Sequence, residues 1–191
     1  MEPFKKKSYL GLDCRATIVN LIFLFLLIQS SLAASGNLKF SVSLDKNEYK
    51  PKDPINVTFK LENKGKEPIY VNKRFYLSSE NMPKEKRDVF LIVTSASGAK
   101  LPCKFSYETG IPKSDYFELL GTEKEVVSEY KRDLRGYFDF NEPGVYKIIA
   151  VYQNVFGEEI GLDTCRDKIT SSAISFKLIR QDSHKEKSEK K

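Results

Sequence analysis

The chain has no tryptophan, one histidine, two methionines and three cysteines among its 191 residues. The one histidine, His184, stands in a charged C-terminal stretch, so a Ser-His-Asp or Cys-His nucleophilic arrangement inside the folded part is excluded, as is a histidine-rich zinc site. A His-Glu-x-x-His run, a Gly-x-Ser-x-Gly elbow, a phosphate-cradling glycine-rich loop and a dinucleotide fingerprint are also missing. These absences argue for a chain that is not an enzyme, with no catalytic residue, no metal and no cofactor. A basic patch is lacking too. Residues 1–33 hold Lys5, Lys6, Lys7 and Arg15 against Glu2 and Asp13, so 6 − 2 leaves +4 for the rest, interleaved with acids along the whole chain. That is a solvated mixed surface, and a nucleic-acid partner is not expected.

What the sequence does have begins with an export signal. Lys5-Lys6-Lys7 and Arg15 form a positive region, Ala16 to Ile28 is apolar apart from Thr17 and Asn20, and Ser31-Leu32-Ala33 places small residues at a cleavage site. The expectation is a helical signal peptide over residues 1–33, removed after Ala33, and an extracytoplasmic protein that is periplasmic, cell-surface or secreted. The rival is an uncleaved anchor: from Ala16 to Ala34 the segment has 19 residues, against the roughly 20 needed to cross a bilayer. Membrane contact is expected only through that segment. Cys14 precedes the apolar run, which argues against a lipoprotein, and leaves with the signal.

Cys103 and Cys165 then remain as an even pair in an oxidising compartment, and a disulfide between them is expected. Its loop of 165 − 103 = 62 residues would contribute roughly 4 kcal/mol on chain-entropy grounds. A reactive or metal-binding pair lacks the histidine or further cysteine such sites recruit.

Phe and Tyr supply all the aromatics, and with Val, Ile and Thr they fall in short runs suited to a pleated surface. Leu38 to Leu44 alternates strictly, with Leu38, Phe40, Val42 and Leu44 on one face; Ile55 to Glu62 repeats this with Ile55, Val57, Phe59 and Leu61. Ile69 to Val71, Val89 to Thr94, Phe117 to Leu120 and Ile169 to Ile179 read as further strands, with Leu101 to Phe105 as a hairpin partner of 89–94. Val126 to Leu134 fits a strand or a short helix. Val145 to Gln153 follows an Asn141-Glu142-Pro143-Gly144 turn and is largely apolar on both faces, which predicts a central strand. The spacing predicts an all-β, antiparallel immunoglobulin-like β-sandwich of about 7–9 strands over residues 34–180, followed by a disordered charged tail at 181–191. Tyr146 stands where such domains place a corner tyrosine; a plain cross-strand aromatic is the other reading.

Three stretches carry a resemblance: Leu44-Asp45-Lys46-Asn47-Glu48-Tyr49-Lys50-Pro51, Ile55 to Pro68 with its Leu61-Glu62-Asn63, and Pro143-Gly144-Val145-Tyr146 followed by Ala150-Val151-Tyr152-Gln153-Asn154. Together with Ile169 to Phe176 they resemble a type of bacterial exported immunoglobulin-like domain of unassigned function, similar to the domain that precedes the catalytic domain of deuterolysin-type metallopeptidases. The resemblance implies a fold and carries no peptidase chemistry to this chain.

Sandwiches bind through loops or an exposed edge. Lys73 to Asp88 and Tyr107 to Tyr116 are the longest irregular insertions, and Arg74, Phe75, Tyr76, Met82, Tyr107 and Tyr116 are the candidate binding residues, being types that interfaces favour and that also pin loops to a core. Glu158, Glu159, Asp163 and Asp167 share a loop, but their spacing is not that of an EF-hand and Arg166 and Lys168 offset the charge. The leading expectation is a non-catalytic exported β-sandwich that binds an unknown protein or cell-envelope component through its loops. A protease inhibitor or pro-domain-like module is a second reading, and a carbohydrate-active or metal-dependent enzyme a third.

Overall fold

Alternating apolar residues on short, turn-bounded segments leave the chain little choice but strands. The structure, a computed structural model, describes residues 37–105, 110–129 and 131–180; the expected signal peptide, Tyr107 and the C-terminal tail expected to be disordered lie outside the described residues. Twelve strands form among the described residues: β1 (Leu38–Leu44), β2 (Glu48–Tyr49), β3 (Asn56–Asn63), β4 (Ile69–Asn72), β5 (Leu77–Ser78), β6 (Val89–Thr94), β7 (Phe117–Leu120), β8 (Glu125–Val127), β9 (Arg132–Asp133), β10 (Gly144–Gln153), β11 (Lys168–Thr170) and β12 (Ile174–Leu178). No α-helix is present among the described residues, only single 3-10 turns.

The first sheet runs β1-β3-β8, with β9 also on β3; the second runs β2-β12-β10-β6-β5, with β11 also on β10; β4 and β7 make a third. In the first, Phe40 faces Leu61 and Val42 faces Phe59, so the alternation read from the two segments falls on one face. Ile55, Val57, Phe59 and Leu61 are all fully buried. β10 is central, between β12 and β6. Tyr146, Ile148, Ala150 and Tyr152 are buried on one of its faces, while Val145 and Lys147 on the other are exposed.

Several expectations need correction. The strands are more numerous and shorter than predicted, and two pairings are parallel, β2 with β12 and β5 with β6. Leu101 to Phe105 is not a strand; it returns beside β6 only through a Thr94 to Lys100 bridge and the Leu101 N–H to Val93 carbonyl bond. The segment 126–134 is neither one strand nor a helix but β8, an interruption, β9 and the start of a 3-10 turn. The closing strand breaks into β11 and β12, both on β10.

The inner faces of the first two sheets meet through an aromatic cluster. Phe40 lies 5.9 Å from Phe59 and 5.7 Å from Tyr152, and Phe75 lies 6.4, 6.5 and 6.1 Å from Phe40, Phe59 and Tyr152. Such offset and tilted ring pairs add to plain area burial. Two buried polar side chains tie the third sheet to the others. The Asn63 amide of β3 donates to the Leu120 carbonyl at 2.9 Å, and the Tyr152 hydroxyl of β10 donates to the Asn72 carbonyl at 3.1 Å and accepts the Asn72 N–H at 3.0 Å. Burial pushes the Tyr152 hydroxyl well above its ordinary pKa, so it remains a donor. The ends of β4 and β7 are thereby fixed against both larger sheets.

Tyr146 is buried, and its hydroxyl donates to the Glu142 carbonyl at 2.7 Å and accepts the Glu142 N–H at 3.2 Å, four residues upstream. The hydroxyl thus ties the turn before β10 while the ring stacks on its cross-strand partner Phe176, 5.3 Å away. Tyr146→Phe removes both bonds and leaves the carbonyl and N–H to find water, so a loss of about 1–3 kcal/mol is expected in urea denaturation.

Candidate functional site

The chain leaves β4 through an Asx turn, in which the Asn72 side-chain oxygen accepts the Arg74 N–H at 3.0 Å. Phe75 then adopts a left-handed φ of +47°, a genuine outlier for a bulky residue. The turn sends Phe75 into the core and leaves Arg74 and Tyr76 on the other side of the chain.

Arg74 is held by a buried carboxylate. Its Nε donates to Asp88 Oδ2 at 2.7 Å and its Nη2 to Asp88 Oδ1 at 2.8 Å, with side chains 5% and 1% exposed. Asp88 also accepts from the Asn72 amide at 3.1 Å and the Tyr76 N–H at 3.2 Å, while Arg74 Nη1 donates to the Gly110 carbonyl at 3.0 Å. Every guanidinium nitrogen is used, which fixes the plane of the group. That plane lies 5.2 Å from the Tyr76 ring and 5.8 Å from the Tyr116 ring, themselves 6.4 Å apart. A hydrogen bond with Tyr116, and secondarily burial, raises the pKa of the Tyr76 hydroxyl.

Tyr116 is delivered by the segment before β7, where its carbonyl accepts the Lys73 N–H at 2.9 Å and extends the β4–β7 pairing by a step. A third segment comes from the broken edge of the first sheet. Ser128 exchanges backbone bonds with Phe59, its N–H reaching the Phe59 carbonyl at 2.9 Å and its Oγ accepting the Phe59 N–H at 3.1 Å. Arg132 then pairs with Val57. Between the Ser128–Phe59 and Arg132–Val57 pairings this edge carries more residues than β3, so the ladder bulges there, and bulges at sheet edges re-aim side chains. Here the bulge turns Glu129 and Arg132 toward the tyrosines, with the Arg132 guanidinium 5.8 Å from the Tyr76 ring.

The three segments enclose an open cavity of about 390 Å³, lined by Lys73, Arg74, Tyr76, Asp115, Tyr116, Ser128, Glu129 and Arg132. That volume falls in the small-ligand range. Arg74, Tyr76 and Tyr116, three of the residues singled out from the sequence, come together here. Phe75 is fully buried, which corrects its reading as a binding residue: its ring is committed to the core. Met82 is half-buried outside this lining, its N–H on the Ser79 carbonyl at 3.2 Å. Tyr107 lies outside the described residues. Sequence reasoning missed Lys73 and Asp115, which stand inside the two insertions it named, and Ser128, Glu129 and Arg132; the signal for the last three was the failure of 126–134 to fit either period, which a bulge produces.

The expected disulfide is not formed in this structure, where both thiols are free. Each donates locally instead: Cys103 to the Phe105 carbonyl at 2.9 Å, Cys165 to Asp167 Oδ2 at 3.8 Å. Cys165 belongs to the core, where burial pushes its pKa up to about 11 and keeps it a neutral thiol. In the acidic loop Glu158 pairs with Arg166 at 3.0 Å and Glu159 accepts the Gly157 N–H at 3.0 Å. Among the described residues no three acidic, cysteine or histidine side chains are grouped to hold a metal ion. No protein-family model and no curated protein matches the chain.

Proposed function

We propose that this chain is an exported, non-catalytic immunoglobulin-like sandwich that binds a protein or cell-envelope component through the cavity at the end of β4 and β7. The observation that carries the reading is the convergence of three separate segments on one open cavity walled by Arg74, Tyr76, Tyr116 and Arg132. Tyrosine and arginine dominate recognition sites because they offer large contact area with few rotatable bonds and fixed hydrogen-bond geometry. The buried Asp88 beneath Arg74 makes the wall rigid before any partner arrives, which lowers the ordering cost of binding. The immunoglobulin-like assignment is supported by the Tyr146 corner and by the aromatic contact between the two larger sheets. It agrees with the resemblance to exported immunoglobulin-like domains.

Asp115 and Glu129 give the enzyme reading its one foothold, since hydrolases use paired carboxylates. Both are exposed, among three cationic side chains and two tyrosines, a composition that favours holding a charged ligand over splitting one.

Site-specific photocrosslinking tests the binding reading. A photoreactive residue at position 116 in the full chain, expressed in its own envelope, should give a discrete adduct that the same residue at exposed Lys147 does not. Adducts of equal yield at both positions, or none at 116, would remove the cavity as the binding site. A protease as the adduct would select the inhibitor reading.

A further inference from the structure

The charges lining the cavity divide into those already used and those left open. Lys73 is paired with Glu118 at 3.2 Å, and Arg74 is fully engaged by Asp88 and the Gly110 carbonyl. Arg132 is different. Its guanidinium rests near the Tyr76 ring, and its Nε is buried with no hydrogen-bond acceptor among the described residues. No carboxylate among the described residues pairs with this cavity-lining guanidinium, so its charge is left without a counter-charge. Asp115 and Glu129 likewise have no cationic partner among the described residues. The open set is therefore one guanidinium and two carboxylates, beside two tyrosines.

We infer that this cavity binds a basic residue bearing a free α-carboxylate: a lysine or arginine at the C-terminal end of a peptide, or the same amino acid free. The inference rests on the cavity being the binding site and names what it reads. Arg132 takes the carboxylate, for which a planar guanidinium is the best-matched side chain. Asp115 and Glu129 take the ammonium or guanidinium, and the tyrosine rings cover the aliphatic stem between the charges. Other ligand classes fit worse. A neutral sugar leaves all three charges open. A simple anion satisfies Arg132 but faces two carboxylates, and a simple cation leaves Arg132 as it is.

Titration calorimetry on the full chain, with four peptides alike except at the last residue, decides it: Lys as the free acid, Lys as the amide, Leu as the free acid and Glu as the free acid. The Lys free acid should bind at least about tenfold tighter than each of the others, the effect of one charge-assisted hydrogen-bonded pair. Arg132→Gln should abolish the preference for the free acid over the amide. Asp115→Asn with Glu129→Gln, both surface changes that leave the fold alone, should abolish the preference for Lys over Leu. Free L-lysine binding as tightly as the peptide assigns the ligand to the amino acid; peptide binding with at least tenfold weaker free lysine assigns it to a chain end. Equal binding of amide and free acid, equal binding of Leu and Lys, or no binding of any probe overturns the inference. If the photocrosslink at position 116 still forms in that case, the cavity remains a binding site for another chemistry.

Discussion

Asp88→Ala is expected to destabilise the protein by about 3–5 kcal/mol, measured by urea denaturation, because it leaves the guanidinium of Arg74 buried and uncompensated. The side chains of the pair are 5% and 1% exposed, so water cannot replace the lost partner without opening the turn after β4. Asp88 accepts four hydrogen bonds, two from Arg74, one from the Asn72 amide and one from the Tyr76 N–H. Replacing the pair together, as Arg74→Met with Asp88→Leu, removes the charge on both sides and two of those four donors. The double variant should therefore recover about half of the single variant's loss, since buried ion pairs exchanged for apolar residues are often near neutral. The recovery is incomplete because the Asn72 amide and Tyr76 N–H are still orphaned. A single-variant loss under about 1 kcal/mol would show the pair to be hydrated and the cavity wall soft. The two variants also separate stability from function: the double variant restores much of the fold yet removes the cation that flanks both tyrosines.

The strands that were legible in the sequence are apolar segments of strand length bounded by turn residues. Leu38–Leu44, read from its alternation, and Val89–Thr94 and Phe117–Leu120, read as apolar runs, have the bounds the sequence indicated. The central place of β10 was legible from its two apolar faces, although only one is buried along its full length. β2 and β5 were not legible because two-residue strands carry no period; they exist through pairing with β12 and β6, a tertiary effect. The candidate site divides the same way. Arg74, Tyr76 and Tyr116 could be singled out because arginine and tyrosine in irregular insertions are conspicuous. Phe75 was indistinguishable from them in sequence, and only the left-handed turn decides that its ring faces inward. Arg132 was hidden because a bulge erases the alternation that would have placed it. The acceptor of Arg74, Asp88, lies 14 residues away, a pairing no local pattern encodes.

The left-handed turn at Phe75 yields the second large effect. Phe75→Ala should lose about 3–5 kcal/mol, the usual range for removing a fully buried phenylalanine, since three neighbouring rings within 6.5 Å lose their contact. The informative comparison is with Phe75→Gly. At ordinary backbone positions glycine is less stable than alanine by roughly 0.5–1 kcal/mol because the unfolded chain gains freedom. At a φ of +47° the order should invert, because alanine keeps the steric cost of the left-handed region, about 1–2 kcal/mol, and glycine does not. Phe75→Gly is thus expected to be at least as stable as Phe75→Ala although it removes one carbon more. If alanine proves the more stable by the ordinary margin, the residue is not left-handed, and the separation of Arg74 and Tyr76 from the core ring between them fails with it. If the order inverts, the phenylalanine holds a strained turn by its own burial. The wall of the cavity is then built from the hydrophobic core outward: the ring anchors the turn, the turn presents Arg74 to Asp88, and the fixed guanidinium sets Tyr76 and Tyr116 for their ligand.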